Sequence, residues 1–257
     1  MTTEQIIHDS SLEGNILRLP DIQLDRKAYV EVKKRLEGIG GKWKGGKVSG
    51  FVFPHDPSSL LEAIKGGKKV NLKKDYQFFP TPPELARHLV TLAQLSECCI
   101  WTDTVLEPSA GQGAIVDAII EVDDLILVDV YEIMPSNIGV LSEKYKNSEI
   151  NFIGEDFLEA SQERKYSRII ANPPFTKNQD IDHVRKMYDV LAPGGRIVTV
   201  TSKHWQLSGN KKETEFRDWL NRLGATIEDV PAGTFKESGT MIESLIVVID
   251  KKEASDG

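Results

Sequence analysis

The sequence is poor in cysteine and has no long apolar run. Its two cysteines, Cys98 and Cys99, are adjacent, and neighbouring cysteines rarely reach disulfide geometry or supply a zinc site alone. This usage is typical of a reducing compartment, so we expect a cytoplasmic protein. No apolar run approaches the roughly 20 residues that cross a bilayer. Residues 1–20 also lack the basic start and apolar block of a secretory signal, so we expect no membrane association.

The histidines, like the cysteines, do not indicate a metal site. His55, His88 and His183 are scattered without the spacing of metal ligands, so we expect no metal ion. We assign His204 no catalytic role.

The charge is unevenly distributed along the chain. The formal net charge is -7, yet residues 1–74 contain 14 lysines and arginines against 9 acidic residues, and the remainder contains 18 against 30. Contacts to phosphates are therefore expected mainly in the N-terminal part. A solvated face of lysines is an equally good explanation for any one of them.

The first 74 residues predict a small basic α+β domain that is a possible nucleic-acid contact. We expect a strand over 16–19, a helix over 25–37, a hairpin over 47–53 and a short helix over 57–65. Trp43 lies among lysines in the segment 41–47, which suits either a nucleic-acid surface or a cap on the small core.

Residues 75–257 alternate between strand and helix patterns. This alternation predicts an α/β fold with a mostly parallel sheet and helices on both faces. The predicted elements are strands over 105–106, 125–131, 150–153, 167–172, 196–201, 226–230 and 244–249, and helices over 114–121, 136–145, 181–191 and 213–223. We expect Gly194 and Gly195 to end the third of these helices.

A glycine-containing turn follows the first strand of this region. Its residues are Glu107, Pro108, Ser109, Ala110, Gly111, Gln112 and Gly113. Glycines allow a ligand to touch the backbone, and the next helix offers free N–H groups. Glu132 ends the second strand, where a carboxylate can accept from a ribose diol. After the third strand, Asp156 is placed to accept from an adenine amino group and Phe157 to stack on the ring, although a single Phe is more often a core residue.

These segments, followed by Asn172-Pro173-Pro174-Phe175, resemble the ordered motifs of class I S-adenosyl-L-methionine-dependent DNA N6-adenine methyltransferases. The resemblance covers residues 78–250 and implies a Rossmann-like fold with S-adenosyl-L-methionine as the cofactor. The upstream segment Phe79-Pro80-Thr81-Pro82 resembles the one that closes over the methionine end of the cofactor in this family. It implies that Phe79, Thr81 and Asn172 join the turn residues, Glu132, Asp156 and Phe157 in binding the cofactor.

The chemistry of amine methylation explains the Asn-Pro-Pro-Phe segment. An exocyclic nitrogen is a poor nucleophile because its lone pair is delocalised into the ring. Acceptors at the Asn172 side chain and at a prolyl carbonyl would localise that lone pair and stabilise the developing charge. Pro173 and Pro174 fix the backbone, and Phe175 is expected to stack on a base that has left the helix. A simple turn is the alternative for Asn-Pro-Pro alone.

Two further segments are expected to border the substrate. Phe235 resembles a second aromatic near the flipped base, although burial in a hairpin is the rival explanation. The polar segment 202–212 leaves the same sheet edge and contains Lys203 and Trp205, which we expect to contact substrate or phosphates.

The sequence therefore predicts a DNA adenine-specific methyltransferase that flips its target base. No sizeable recognition domain follows Phe235, so we expect short or relaxed sequence specificity. The alternatives are an RNA methyltransferase acting on adenine N6 or guanine N2, a protein glutamine N5-methyltransferase and a non-catalytic nucleic-acid-binding protein. Phe175 argues mildly against glutamine, because tyrosine is more usual there.

Overall fold

The computed structural model describes residues 1–53, 56–68, 80–95, 104–148, 150–161, 163–231, 233–235 and 243–253. Its contacts divide the chain into two compact units, Met1–Phe78 and Phe79–Gly257. His55, Phe79, Cys98, Cys99 and most of the polar stretch 66–75 lie outside the described residues.

The first unit is a four-stranded antiparallel sheet covered by helices. Its elements are α1 (Thr3–His8), β1 (Ser11–Glu13), β2 (Ile16–Arg18), α2 (Arg26–Gly38), β3 (Lys42–Lys44), β4 (Gly50–Val52) and α3 (Ser58–Lys65). The strand order is β1-β2-β4-β3. Asp25 caps α2 by accepting from the amides of Lys27 and Ala28, both at 2.9 Å. The helix α1 and the edge strand β1 were not predicted.

One face of this sheet carries the core of the unit. Leu17 and Phe51 pack there with apolar residues of all three helices. Trp43 is the cross-strand neighbour of Phe51 and packs edge-on against it at 5.2 Å, yet it stays 40% exposed. Lys42 and Lys44 flank Trp43 on the edge strand and are exposed. Because side chains alternate along a strand, they lie on the sheet face opposite to the core.

The second unit is a seven-stranded sheet between two helix layers. Its elements are α4 (Pro83–Leu92), β5 (Val105–Glu107), α5 (Ala114–Val122), β6 (Val128–Tyr131), α6 (Pro135–Lys144), β7 (Ile150–Gly154), β8 (Tyr166–Ala171), α7 (Gln179–Val190), β9 (Leu191–Ser202), α8 (His204–Leu207), α9 (Lys211–Leu223), β10 (Thr226–Asp229) and β11 (Ser244–Asp250). The order is β10-β11-β9-β8-β5-β6-β7. Strands β5 to β9 are parallel, and β11 is antiparallel to both of its neighbours. The predicted Rossmann-like α/β fold is confirmed.

Alternating residues of the central strands feed two separate cores. Val105, Ile170 and Val198 face one core, which α4 and α5 cover. Leu106, Ile169 and Ile197 face the other, which α7 and α9 cover. A strand buried on both faces reads as a continuous apolar run, which is why these strands were recognisable in the sequence.

Two predicted boundaries were wrong, and one helix was missed. The Gly194-Gly195 pair does not end a helix, because Gly194 and Gly195 pair with Lys251 and lengthen β9. Strand β6 starts only at Val128, since Leu125 and Leu127 are exposed. The helix α4 was not predicted. Within the described residues there is no helix that has both the length and the hydropathy to span a bilayer.

Candidate active site

The glycine turn and the Asn-Pro-Pro-Phe segment lie side by side at one edge of the sheet. The first follows β5 and the second follows β8, and these two strands are parallel neighbours. From β5 the chain continues outward through β6 and β7 and then returns to place β8 on the other side. Such a reversal opens a crevice beyond the carboxyl ends of the strands, where open α/β sheets bind ligands.

The glycine turn has a backbone that only glycine adopts without strain. Gly111 and Gly113 have φ angles of +58° and +82°, in the left-handed region. A Cβ on Gly113 would lie 2.2 Å from the Tyr145 hydroxyl oxygen. Gly113 is also the N-cap of α5, so the free amides of the first turn face the crevice.

Glu132 ties the end of β6 to the glycine turn. Its Oε2 accepts from the Gly111 amide at 2.6 Å, and its Oε1 accepts from the Met134 amide at 2.7 Å. Burial raises the pKa of Glu132, and these two hydrogen bonds oppose that rise. Each carboxylate oxygen has a second acceptor position, so the arrangement is compatible with the predicted bond to a ribose diol.

Several buried polar atoms around the turn have no partner within the described structure. They are Glu107 Oε2, Ser109 Oγ and Asn137 Nδ2. Burial, assisted by the nearby Glu132, raises the pKa of Glu107 well above its usual range. Unsatisfied buried polar atoms are uncommon in folded proteins and are expected where a polar ligand completes the site. The turn therefore fits a polar cofactor. Ala110 and Pro108 complete it as buried residues.

Phe157 differs from expectation, whereas the predicted contact of Asp156 with adenine stays a prediction. Asp156 caps the local turn, with its Oδ1 accepting from the Leu158 amide at 2.8 Å. Phe157 is only 1% exposed and packs between Tyr131 at 5.4 Å and His183 at 5.7 Å. The stacking role predicted for Phe157 is therefore wrong in this structure, because its faces are covered by neighbouring side chains. Phe157 is a core aromatic.

A hydrogen bond fixes the orientation of Asn172. Its Nδ2 donates to Thr81 Oγ1 at 3.0 Å, and its Oδ1 has no partner in the described part of the chain. Thr81 precedes α4, far from Asn172 in sequence. Pro173 is buried, whereas Pro174 and Phe175 are half-buried. Phe175 packs against the same apolar cluster as Ala110. The segment thus presents a fixed amide oxygen beside the glycine turn.

The chain leaves Phe175 through an unusual turn. Lys177 and Asn178 have φ angles of 55° and 59°, and non-glycine residues adopt this region infrequently. The side chain of Asn178 is held by Glu213, whose Oε1 accepts from Asn178 Nδ2 at 3.0 Å. Asp180 Oδ2 accepts from both the amide and the hydroxyl of Ser202. Asn178, Glu213 and Asp180 were not predicted from the sequence. Only Asn178 has a local signal, since Asn tolerates a positive φ.

Two of the predicted substrate-contacting aromatics, Phe235 and Trp205, are buried. Phe235 is 4% exposed and belongs to the cluster against which Phe175 packs, so the rival explanation of burial is correct. Trp205 is 2% exposed and donates to Thr201 Oγ1 at 3.0 Å. The segment 202–212 is also not a simple loop, because it forms α8 and begins α9. Lys203 binds Asp229 at 2.6 Å, which raises the pKa of Lys203.

Two further expectations concern metal and cofactor contacts. Across the residues that the structure describes, there is no group of His, Cys, Asp and Glu side chains arranged for a metal ion. Phe79 lies outside those residues, so its predicted contact with the cofactor stays a prediction.

Comparison with known families identifies the fold. The sequence profile of the methyltransferase small domain family matches residues 89–218. This match covers half of the chain and includes the glycine turn, Glu132 and the Asn-Pro-Pro-Phe segment. No curated protein sequence matches the chain significantly.

Solved structures show the same architecture. The methyltransferase subunit of a type I restriction-modification system from Streptococcus thermophilus is 17% identical with a TM-score of 0.56, and the match covers 69% of this chain and 45% of that one. A proposed class I S-adenosylmethionine-dependent methyltransferase from Listeria monocytogenes is 11% identical (TM-score 0.54; 78% and 68% covered). A proposed RNA methyltransferase from Pyrococcus horikoshii is 16% identical (TM-score 0.51; 69% and 88% covered). The chain thus spans less than half the length of the first of these, and identities this low establish the fold alone.

Proposed function

Because the chain belongs to the methyltransferase small domain family, with S-adenosyl-L-methionine as its methyl donor, we propose that it methylates the exocyclic N6 of adenine in DNA. The target base is extruded from the helix for this purpose. Sequence specificity is short or relaxed, and the protein acts in the cytoplasm.

The fixed Asn172 side chain carries this proposal. Thr81 accepts from the Asn172 amide nitrogen at 3.0 Å, which directs the amide oxygen away from Thr81 as an acceptor. The carbonyl of Pro173 supplies a second acceptor whose position the following proline restricts. Two fixed acceptors match the two N–H groups of an adenine amine. A substrate whose nucleophile carries a single hydrogen would leave one of them unused.

These acceptors make the amine nucleophilic. Adenine N6 is conjugated with its ring, and hydrogen bonds to both hydrogens favour a geometry in which the lone pair is localised. The cofactor supplies an electrophilic methyl group on a sulfonium. The N6–C bond forms as the C–S bond breaks, and the positive charge moves from sulfur to N6. Asn172 Oδ1 and the Pro173 carbonyl stabilise that charge, and N6 then releases one proton to solvent.

Phe175 completes the proposed base site. It is half-buried and packs against the apolar cluster that includes Ala110 of the glycine turn. The uncovered part of its ring is available for stacking on the extruded base. A planar amide of glutamine would use less of this surface than a purine does, which favours a nucleobase.

The preference for DNA over RNA as the substrate rests on exposed positive charge and on the Asn-Pro-Pro-Phe segment. Lys42 and Lys44 are exposed side by side on one face of the edge strand β3 of the first unit, where they are suited to phosphates, and Trp43 is partly exposed on the other face of that strand. Among the structural neighbours, the Streptococcus thermophilus protein belongs to a restriction-modification system, and the Pyrococcus horikoshii protein is a proposed RNA methyltransferase. RNA is therefore the second candidate substrate.

One experiment separates the candidates. The protein is incubated with isotopically labelled S-adenosyl-L-methionine and separate pools of DNA, RNA and protein, and the modified unit is identified by mass spectrometry. We expect labelled N6-methyladenine in DNA. Label in RNA bases or in glutamine instead would replace the proposal with one of those substrates, and cofactor binding without any transfer would indicate a binding protein.

The variant Asn172→Ala tests the proposed acceptor. It removes the amide oxygen but leaves the glycine turn and Glu132 unchanged. We expect methyl transfer to fall by about 10²-fold or more, as for other preorganised hydrogen-bonding groups, while cofactor affinity falls far less because the glycine turn and Glu132 keep most of the predicted cofactor contacts. Thr81→Val is the companion variant, since it keeps the acceptor and removes only its orientation. A variant Asn172→Ala that retains full activity would disprove the assignment.

A further inference from the structure

Leu207 is the last residue of α8 and is 84% exposed, the highest value among the large apolar side chains that the structure describes. The helix α8 follows β9, which is the parallel neighbour of β8. Leu207 therefore belongs to the connection that leaves the sheet edge next to Asn172. A single exposed leucine is common on protein surfaces, so its meaning depends on how it is held.

The backbone around Leu207 is held rigidly. Trp205 anchors α8 to the core. It is 2% exposed and packs edge-on against Phe216 at 5.3 Å. The Arg217 guanidinium donates to the carbonyls of Trp205 at 2.5 Å and Ser208 at 2.7 Å, one on each side of Leu207. Arg217 thus ties the backbone before and after Leu207 to α9.

The same connection is fastened to the catalytic segment. Buried Glu213 accepts from Asn178 Nδ2 at 3.0 Å, just after Phe175, and from Asn210 Nδ2 at 3.2 Å, just after α8. Asp180 binds Ser202 at the end of β9. The side chain of Leu207 is therefore presented at a fixed place relative to the segment that holds Asn172.

Positive charge accompanies this apolar side chain. Lys211 begins α9 four residues after Leu207; its side chain is 89% exposed, with Nζ 3.7 Å from Glu215 Oε1 in a solvent-exposed ion pair that contributes little. Lys177 is exposed in the turn after Phe175 and forms no ion pair with any described residue. Exposed lysines thus occur in both connections that follow β8 and β9, and an apolar residue in such a connection suits the edge of a base stack bordered by phosphates. It does not match an apolar protein surface.

We propose that Leu207 is a wedge that enters the DNA base stack and fills the space left when the target adenine is extruded. The inference rests on the proposed function. Apolar side chains that insert between bases offset part of the cost of unstacking. In this role Leu207 does not touch the reacting atoms, and it matters only while the target base is paired and stacked.

The proposed role of Leu207 is tested by varying whether the target base is paired. We compare Leu207→Ala with the unmodified protein on duplex DNA, on duplex DNA with a mismatched target adenine and on single-stranded DNA of the same sequence. We expect a loss of about tenfold in kcat/KM on the paired duplex, a smaller loss on the mismatch and less than twofold on the single strand, since a mismatched or unpaired base costs less to extrude. The fluorescence of 2-aminopurine at the target position should fall in parallel, because it reports extrusion directly.

Leu125→Ala is the matched control. It removes the same side chain from a residue that is 58% exposed but precedes β6, at the opposite end of the strands. Neither variant should change the thermal midpoint by much, because neither side chain is buried. Equal losses on paired and single-stranded DNA, or no loss on the duplex, would overturn the wedge. If the unmodified protein methylates no DNA in any form, the proposed function itself fails, and this outcome is recognised without the variants.

Discussion

Asn172 is oriented by a partner that no local sequence pattern reveals. Its residue type and its position after a strand were predictable, as were the glycines and Glu132. The hydrogen bond from Asn172 to Thr81 was not, because the two residues are 91 positions apart and meet only when α4 packs beside β8. The sequence therefore predicts Asn172 as a candidate residue, whereas the structure shows how its side chain is held.

Glu132 makes two contributions that can be separated. Glu132→Ala removes the predicted acceptor for the ribose diol and also leaves the buried amides of Gly111 and Met134 without their partner. We expect cofactor affinity to fall by about tenfold to 100-fold, since hydrogen bonds to charged groups contribute about 1.5–3 kcal/mol, and thermal stability to fall as well. Isothermal titration calorimetry and thermal unfolding measure the two effects.

Glu132→Gln serves as the partial control because it keeps one acceptor oxygen at this position. It should preserve more of the stability than of the cofactor affinity. An affinity that is unchanged in Glu132→Ala would show that the ribose ligand lies elsewhere.

At the scale of elements, the orientation of the aromatic side chains that follow strands was the property least predictable from sequence. Phe157, Trp205 and Phe235 each follow a strand at the ligand edge, and each turned out to be buried. A single aromatic after a strand can point into the crevice or fold back over the core, and the sequence does not distinguish the two. Short elements such as α8 were missed for a related reason, since one helical turn contains too few residues to show a period.

The buried face of α7 gives a prediction about pH. His183 lies on this face and packs against Phe157, and its Nδ1 has no partner among the described residues. Burial lowers the pKa of His183 from 6.5 to about 4, against the opposing effect of Asp156 and Asp182. Below about pH 6.5 the unfolded chain takes up a proton that the native protein does not accept until about pH 4.

The contribution of His183 to stability is therefore present above pH 6.5 and is lost as the pH falls through this window. The loss amounts to about 3 kcal/mol in the free energy of unfolding. Urea unfolding from pH 7 to pH 4 measures it, with His183→Leu as the reference that cannot titrate. If the difference between the two proteins is constant across this range, His183 is not buried in its neutral form.

At the scale of the whole molecule, strand order was only partly predictable. The alternation of strands and helices indicated a mostly parallel sheet with covered faces, and the structure confirms it. The position of β8 beside β5 could not be derived from the alternation of strands and helices. It depends on the edge of β5 to which the chain returns after β7. The antiparallel insertion of β11 between β9 and β10 was equally hidden, since a continuous apolar run does not reveal strand direction.

The uneven charge of the chain predicts how DNA affinity depends on salt. Lys42→Glu and Lys44→Glu together change the exposed edge strand without touching the core of the first unit. If both lysines contact phosphates, DNA affinity should fall and the slope of log K against log salt should decrease in magnitude by about 2. Fluorescence anisotropy with duplex DNA at several salt concentrations measures the slope.

Lys27→Glu and Lys34→Glu form the matched pair on α2, where both lysines are exposed. They alter the net charge of the protein by the same amount. Identical effects of the two pairs would mean that only the total charge matters and that β3 is not a contact surface.

The order of strands in the sheet also governs when the enzyme becomes competent during synthesis. The ribosome releases Thr81 and the glycine turn first, then β6 and β7, and Asn172 only after these strands have been made. Because β8 has to insert beside β5 before Asn172 can meet Thr81, a nascent chain that already carries the cofactor turn still lacks its acceptor group. A copy truncated before Asn172 therefore retains the glycine turn but lacks the proposed acceptor.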